Sequence, residues 1–593
     1  MAVVSILFKP SAISADWISM INKKYIIFTS IFLFYMVVYN YVIFSDVMYD
    51  DMLNYTAKGY AILHYDGSIW NMTVDFARNW IENGRAFIFA FYMYSLFSVL
   101  DYYTYKVMII IATFINAILI GIWIERKIKN DAMIYLLALL FPCVMHMSCE
   151  YFNPMFGFHF LLQWTVLLGM TSIVLFEKYL YTNNYWYSIV SCVALAISLF
   201  TYEIAYIIGL VFFIKLYFNQ SKVYLLKLFP QYITYFVSMF IYFFVSITAK
   251  VHYPGVSVSI NENTIDACIK QLSGSISVIV FGFNDIQYYL PVYNGERMDI
   301  LFYAIISVIL FYAFWKFIYK ELYHINLANF EYKEIVASAL LFIILPCILI
   351  GISARYQHEV GWGRAYLPTY LTAWGITIIL AILIVKNKLC NICMLICGSM
   401  LFCNIVLSGI SAANHRNLNL EGDELFRIAE NTEMFKNWSE GDIIYDGSNI
   451  LTGVDQHYCY LLKYKVQAYS DINELNKACY DIKTKNIKSV KYSVNYQNKL
   501  NGMVVGNCSS IEPQKYNDDI KFKIYSKDID IFIPKEYNES DLKIQLSNGE
   551  YYEKRLNELQ TVAVSEYGRK YNLKSEIGID INSVNIVLHD NIK

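Results

Sequence analysis

Ionisable residues of both signs gather in a few short stretches: Asp46, Asp50 and Asp51; Arg85; His146 and Glu150; Glu203; Lys250 and His252; and Arg355, His358, Glu359 and Arg364. The long apolar runs between them carry almost no charge. Carboxylates and guanidiniums in one place suggest a particular chemistry. A carboxylate can take the proton of an attacking hydroxyl, and arginine can steady a departing phosphate through two parallel hydrogen bonds. Asp51, or its neighbour Asp50, is the candidate base, with Glu203 as a supporting acid. Arg85, Arg355 and Arg364 are the candidate phosphate ligands. His358, Glu359 and Trp362 lie among them in the stretch from Arg355 to Arg364, where Trp362 offers a stacking face. Each has a plainer reading. A pair of Asp after an apolar run can cap a helix or sit in a solvated loop. The arginines can anchor at lipid headgroups, and Glu203 can cap a helix at the interface.

The elements that must hold these residues are apolar helices. Hydrophobic residues make up 57% of the 593 and charged residues 16%, with a mean hydropathy of +0.39. A soluble chain has about 45–50% apolar and about 25% charged residues, so the expectation is an integral membrane protein with a soluble part. A net charge of −2 gives no electrostatic reason for a nucleic-acid partner. Tyr25–Phe44 is long enough to span and no small-residue cleavage site follows it, so it is expected as an anchor rather than a cleaved signal.

Lys9, Lys23 and Lys24 precede that first run, which places the N-terminus in the cytoplasm and residues 45–85 outside. Within this loop Ile69, Met72, Phe76, Trp80 and Ile81 recur at helical spacing and predict an amphipathic surface helix. Ala86–Leu100 reads as a juxtamembrane or partly inserted helix, because a crossing there would put Arg126, Lys127 and Lys129 outside. The further spans are Val107–Ile124, Ala132–Cys149, Met155–Phe176, Trp186–Thr201, Ile204–Phe218, Gln231–Ala249, Ile300–Ile318, Ile335–Ile352, Leu367–Val385 and Leu389–Gly409. That makes about eleven spans with the C-terminus outside and a second long outer loop at residues 250–298. Lysines crowd one set of short loops, and the turns Glu150–Pro154 and Tyr202–Glu203 have none.

From Ser411 onward charge rises. Ile520, Phe522, Ile524 and Ile529, Ile531, Ile533 alternate around Ser526-Lys527-Asp528, a strand–turn–strand pattern. Asp471–Lys485 and Tyr551–Val562 read as helices. Residues 411–593 are expected as a soluble outer α+β domain of about 180 residues. Cys459, Cys479 and Cys508 allow one disulfide there. Cys390, Cys393 and Cys397 mimic a metal-site spacing but have no companion cluster, so core packing is the better reading. His159, on an apolar helix, reads as a packed side chain.

Tyr49-Asp50-Asp51, Asn83-Gly84-Arg85, Tyr202-Glu203 and the overall plan of residues 25–410 resemble the GT-C membrane glycosyltransferases. More closely, the chain resembles the serotype-converting O-antigen glucosyltransferases and their bacterial relatives. The resemblance implies a polytopic GT-C-like domain over residues 1–410 in the bacterial inner membrane. It implies a catalytic Asp from the first outer loop, which carries over to Asp50 or Asp51, and a second acid that carries over to Glu150 by position. It also implies a polyprenyl-phosphate-linked sugar donor, a polysaccharide or lipid-linked glycan acceptor, and transfer on the outer face; Trp362 would then stack on a sugar ring. A divalent metal ion is left open, as are the sugar and the stereochemical course. The rivals are a polysaccharide polymerase and a lipid-linked-glycan flippase or transporter. Missing charge in the middle of the spans speaks against the transporter.

Overall fold

The computed structural model describes residues 15–44, 69–91, 102–145, 154–155, 160–219, 221–249, 253–276, 297–323, 332–363, 365–387 and 390–418, together with strands between 443 and 589. The protein is a polytopic, mostly α-helical membrane protein. Among the described residues, seven helices are long and apolar enough to cross a bilayer: Thr104–Ile128, Leu161–Thr182, Val223–Thr248, Asp299–Ile318, Tyr332–Gly351, Thr369–Asn387 and Ile392–Ile410. At four more of the expected spans the helices are shorter, Tyr25–Val38, Ala132–Val144, Tyr185–Leu199 and Ile204–Phe218, each of 10–17 residues. A straight crossing takes about 20 residues.

Several boundaries differ from those expected, each for a local reason. Ala132–Val144 stops short of Cys149 just past Pro142, and the Asn404 Nδ2 group donates to the freed Pro142 and Cys143 carbonyls at 2.9 and 2.8 Å. The next helix starts at Leu161 rather than Met155, because Phe160 takes a left-handed φ of 59°. Ser221 accepts a hydrogen bond from the Tyr224 amide and starts a helix that runs Lys222–Thr248 through Pro230, where a lysine-bearing loop was expected before Gln231. The last apolar helix continues past Ser411 to Leu418. Of the helix expected at Ala86–Leu100, residues 88–91 form a 3-10 turn, and residues 92–100 lie outside the described residues. The second long loop holds a helix, Asn263–Ile276. The amphipathic helix predicted in the first loop is present as Ile69–Glu82.

Contacts divide the chain into two units. The first holds residues 1–45, 75–91 and 101–414. Its centre is aromatic: Trp123, Trp315, Trp374, Tyr35, Tyr39 and Tyr370 are fully buried, and Phe141 stacks on Trp374 with centroids 3.7 Å apart. Cys397 is buried in this interior.

The second unit holds the strands after residue 415. One sheet has Ile443–Asp446 parallel to both Gln467–Tyr469 and Val490–Ser493, with Val504–Gly506 antiparallel to the latter. In another, Lys521–Tyr525 pairs antiparallel with Asp528–Pro534 across a two-residue turn, as the alternation predicts. Tyr551–Val562 is not a helix. Tyr551–Arg555 is a strand paired with Asp541–Gln545, and Thr561–Ser565 is a strand paired with Gly568–Asn572. Partner strands decide the conformation there over local propensity. The helix expected at 471–485 and the cysteines at 459, 479 and 508 lie outside the described residues.

Candidate functional site

The site in the first unit begins with a helix stop. The Gly84 amide donates to the Ile81 carbonyl at 3.0 Å and the Arg85 amide to Trp80 at 2.9 Å, with Gly84 at φ 82°. This is a Schellman closure of the Ile69–Glu82 helix, and glycine supplies the left-handed residue that it needs. Asn83-Gly84-Arg85 is therefore a turn that aims Arg85. The Asn83 carbonyl also accepts the Tyr253 amide at 3.1 Å, which ties a second loop to the same turn. Gly84→Ala should lower stability by about 1–2 kcal/mol, the cost of a left-handed side-chain-bearing residue. A thermal-melting comparison in detergent checks this.

Arg85 enters an aromatic box. Its guanidinium carbon lies 4.0 Å from the Phe87 ring centroid, 4.7 Å from Tyr253 and 5.1 Å from Trp80. Its Nε and Nη2 donate to the two Glu203 carboxylate oxygens, each at 2.8 Å, in a bidentate fork. The Tyr242 hydroxyl donates to Glu203 Oε1 at 2.7 Å. Glu203 does not cap the helix it precedes; its carboxylate is turned to Arg85 instead. Burial pulls the Arg85 pKa down and the Glu203 carboxylate pushes it up, with the net shift upward. Arg85 stays charged.

Arg355 approaches the same tyrosine from the loop after Tyr332–Gly351. Its guanidinium carbon is 5.5 Å from the Tyr253 centroid, and its Nη1 donates to the Tyr253 hydroxyl at 2.8 Å. Its Nε donates to Glu359 Oε1 at 2.6 Å, one helical turn on, and this bond raises the Arg355 pKa. The Tyr253 and Tyr356 hydroxyls are 3.4 Å apart, and Tyr356 packs on Tyr366 at 4.2 Å between centroids. Burial raises the phenol pKa of Tyr202, Tyr356 and Tyr366, so all three stay neutral. The two arginines differ in access: the Arg85 side chain is 9% exposed and that of Arg355 40%.

The structure thus brings together Arg85, Glu203, and the pair Arg355 and Glu359 from three separate stretches. His358 and Trp362 are exposed on the Arg355 loop. Asp50, Asp51, Glu150 and Arg364 lie outside the described residues, as do Asp46, His146, His159, Lys250 and His252. Tyr253, which joins the two arginines, and Tyr242 were not singled out in the sequence. With 53 tyrosines in the chain, no local signal marks them.

A second charged cluster was not singled out in the sequence, where only Arg126 and Lys127 stood out, as a basic flank. Lys215 bonds Glu177 and lies 2.9 Å from Glu334 Oε1, while Lys127 reaches Glu334 Oε2 at 2.8 Å. Arg126 donates to the Val174 carbonyl at 2.5 Å and stands 3.9 Å from Glu177 Oε2. Lys215, Glu177 and Glu334 are buried, so four helices share three cations and two carboxylates. Counting along the helices, Lys215 is about 18 Å from Glu203 at 1.5 Å per residue. These charges lie at the ends of the expected spans: Lys127, Glu177 and Glu334 flank them, and Lys215 is three residues from the end of Ile204–Phe218.

Among the described residues no group of three His, Cys, Asp or Glu is placed to hold a metal ion. No known protein-family model matches the chain, and no curated protein matches it either.

Proposed function

We propose that the protein is a GT-C-type membrane glycosyltransferase. It takes a sugar, glucose being the first candidate, from a polyprenyl-phosphate donor and transfers it to a surface polysaccharide such as O-antigen. In this reading the chain crosses the bacterial inner membrane about eleven times, with the N-terminus in the cytoplasm. Residues 411–593 form a soluble domain outside, and the Arg85–Arg355 cluster faces the same side.

The observation that carries the reading is the convergence of Arg85 and Arg355 on Tyr253, each already held by a carboxylate. A leaving polyprenyl phosphate is an anion, and cations positioned beforehand stabilise it without reorganising during the reaction. The helix Ile69–Glu82, whose closure aims Arg85, begins 18 residues after Asp51 in the sequence. Arg355, the more exposed of the two, is the phosphate contact. Arg85, paired and boxed, positions Tyr253 and Glu203. Asp51 or Asp50 takes the acceptor proton, Glu150 supports it, and Trp362 stacks on the sugar. His358 and Arg364 complete the loop that receives the donor.

The Lys215 cluster favours a second reading, a flippase for the lipid-linked sugar, since buried charge in a membrane marks function by default. Glycan analysis of cells with and without the gene separates the readings. A transferase leaves the polymer backbone intact and removes one substituent, whereas a lost flippase depletes every sugar supplied by that lipid. Within the transferase reading, Arg355→Ala should lower transfer by about 10² and Arg355→Lys by less, because lysine keeps the charge and loses the fork. Initial rates in isolated membranes check it, and unchanged rates in both variants would remove Arg355 from the site.

A further inference from the structure

The helix Asn263–Ile276 is turned inside out relative to a helix in an aqueous loop. Ile265, Ile269, Leu272 and Ile276 follow one another at spacings of four, three and four residues. At about 100° per residue they share one face. That face is the open one: Ile265, Ile269 and Ile276 are 72%, 48% and 51% exposed. The buried side is small and polar, formed by Ala267, Gln271, Gly274 and Ser275. A helix that docks on a core in water does the reverse.

The polar face is docked firmly. The Gln271 side-chain amide donates to the Tyr366 carbonyl at 3.0 Å and accepts from the Tyr366 amide at 2.7 Å. The Ser275 and Thr369 hydroxyls are 2.8 Å apart, and Ser273 accepts from the Gly363 amide at 3.2 Å. A side chain at Gly274 would collide with the Ala365 backbone, and one at Gly351 with Cys268. Small residues at the contact and polar bonds between segments are the means of association available where the surroundings are themselves apolar.

We infer that this helix is seated in the membrane interface with its isoleucine stripe in contact with phospholipid acyl chains. Three observations choose that occupant. The helix packs against the candidate span Tyr332–Gly351, whose own exposed row Leu340, Ile344 and Ile348 runs towards Gly351, so the stripe continues a lipid-facing surface. Fourteen residues rise about 21 Å, short of the roughly 30 Å of a crossing, so the helix lies in or dips into one leaflet. Asp266 and Lys270, paired at 2.6 Å, sit about 100° round from the stripe, where a helix lying in the interface meets water. The inference does not depend on the transferase reading. Its consequence is positional: the docked segment from Gly363 to Thr369 follows the Arg355 loop, so the helix sets that loop at headgroup depth.

The test places a photoreactive residue on each face, Ile269→benzoylphenylalanine and Asp266→benzoylphenylalanine. The full-length protein is held in nanodiscs of phosphatidylethanolamine and phosphatidylglycerol. After irradiation, intact mass should show a phospholipid adduct at Ile269 and none at Asp266. A crosslink from Ile269 to the strand-bearing unit or to a second copy would overturn the inference. So would equal adducts at both positions, or a folded, irradiated Ile269 variant with no adduct.

Discussion

Asp51→Asn is expected to lower sugar transfer by about 10²–10⁴, the usual loss when a general base goes, while insertion and folding are unaffected. Asparagine keeps the shape of the side chain and cannot accept the acceptor proton. Adjacent side chains on one regular backbone segment point different ways, so Asp50→Asn should have a much smaller effect. If the two effects are exchanged, Asp50 is the base and the rest of the scheme stands. Initial-rate assays in membranes, with each variant's amount measured by blot, decide between them. Arg85→Ala is a different kind of change. It leaves the Glu203 carboxylate without its fork and opens the box of Trp80, Phe87 and Tyr253, so it should reduce stability and rate together.

Lys215→Ala is expected to destabilise the helical unit by about 3–5 kcal/mol, the cost of stranding a buried partner. Lys215 lies between Glu177 and Glu334, and neither is exposed to water that could screen it. The companion variant is Lys215→Met with Glu177→Gln and Arg126→Met, which removes Glu177 with both of its cations and leaves the Lys127–Glu334 pair intact. It should recover much of the loss, because a buried ion cluster adds little net stability over a neutral replacement. Thermal unfolding in detergent, followed by tryptophan fluorescence, measures both. If the triple variant is stable and the proposed transfer is unimpaired, the cluster is structural. If it is stable and a lipid-linked sugar no longer crosses the bilayer, the flippase reading gains.

The apolar helices were legible because bilayer thickness requires long uncharged runs, and such runs stand out in any window. Their ends were less so. Phe160 stops a helix through its backbone dihedral, and Asn404 satisfies the carbonyls at Pro142 and Cys143 from far along the chain. Neither leaves a local trace. Arg85 and Glu203 were both chosen from the sequence, but as separate ligand and acid. They are 118 residues apart, so only the fold shows them as partners. Lys215, inside the expected span Ile204–Phe218, and Glu177 and Glu334, each beside a span end, were not singled out, because only the fold brings them together. The helix Asn263–Ile276 was hidden in a loop because its isoleucine stripe is short and broken by polar residues. Tyr551–Val562 was misread because its charges are spaced as on a helix, whereas pairing with neighbouring strands decides its form.

The central claim is tested most directly by following one labelled hexose in proteoliposomes that hold the purified protein, a polyprenyl-phosphate-linked donor and a glycan acceptor on the side of residues 411–593. The account predicts that the label leaves the lipid and appears on the glycan, that free polyprenyl phosphate accumulates in equal amount, and that Asp50→Asn and Asp51→Asn together abolish this. Label that crosses the bilayer still attached to its lipid, or transfer that persists undiminished in the folded double variant, would contradict it.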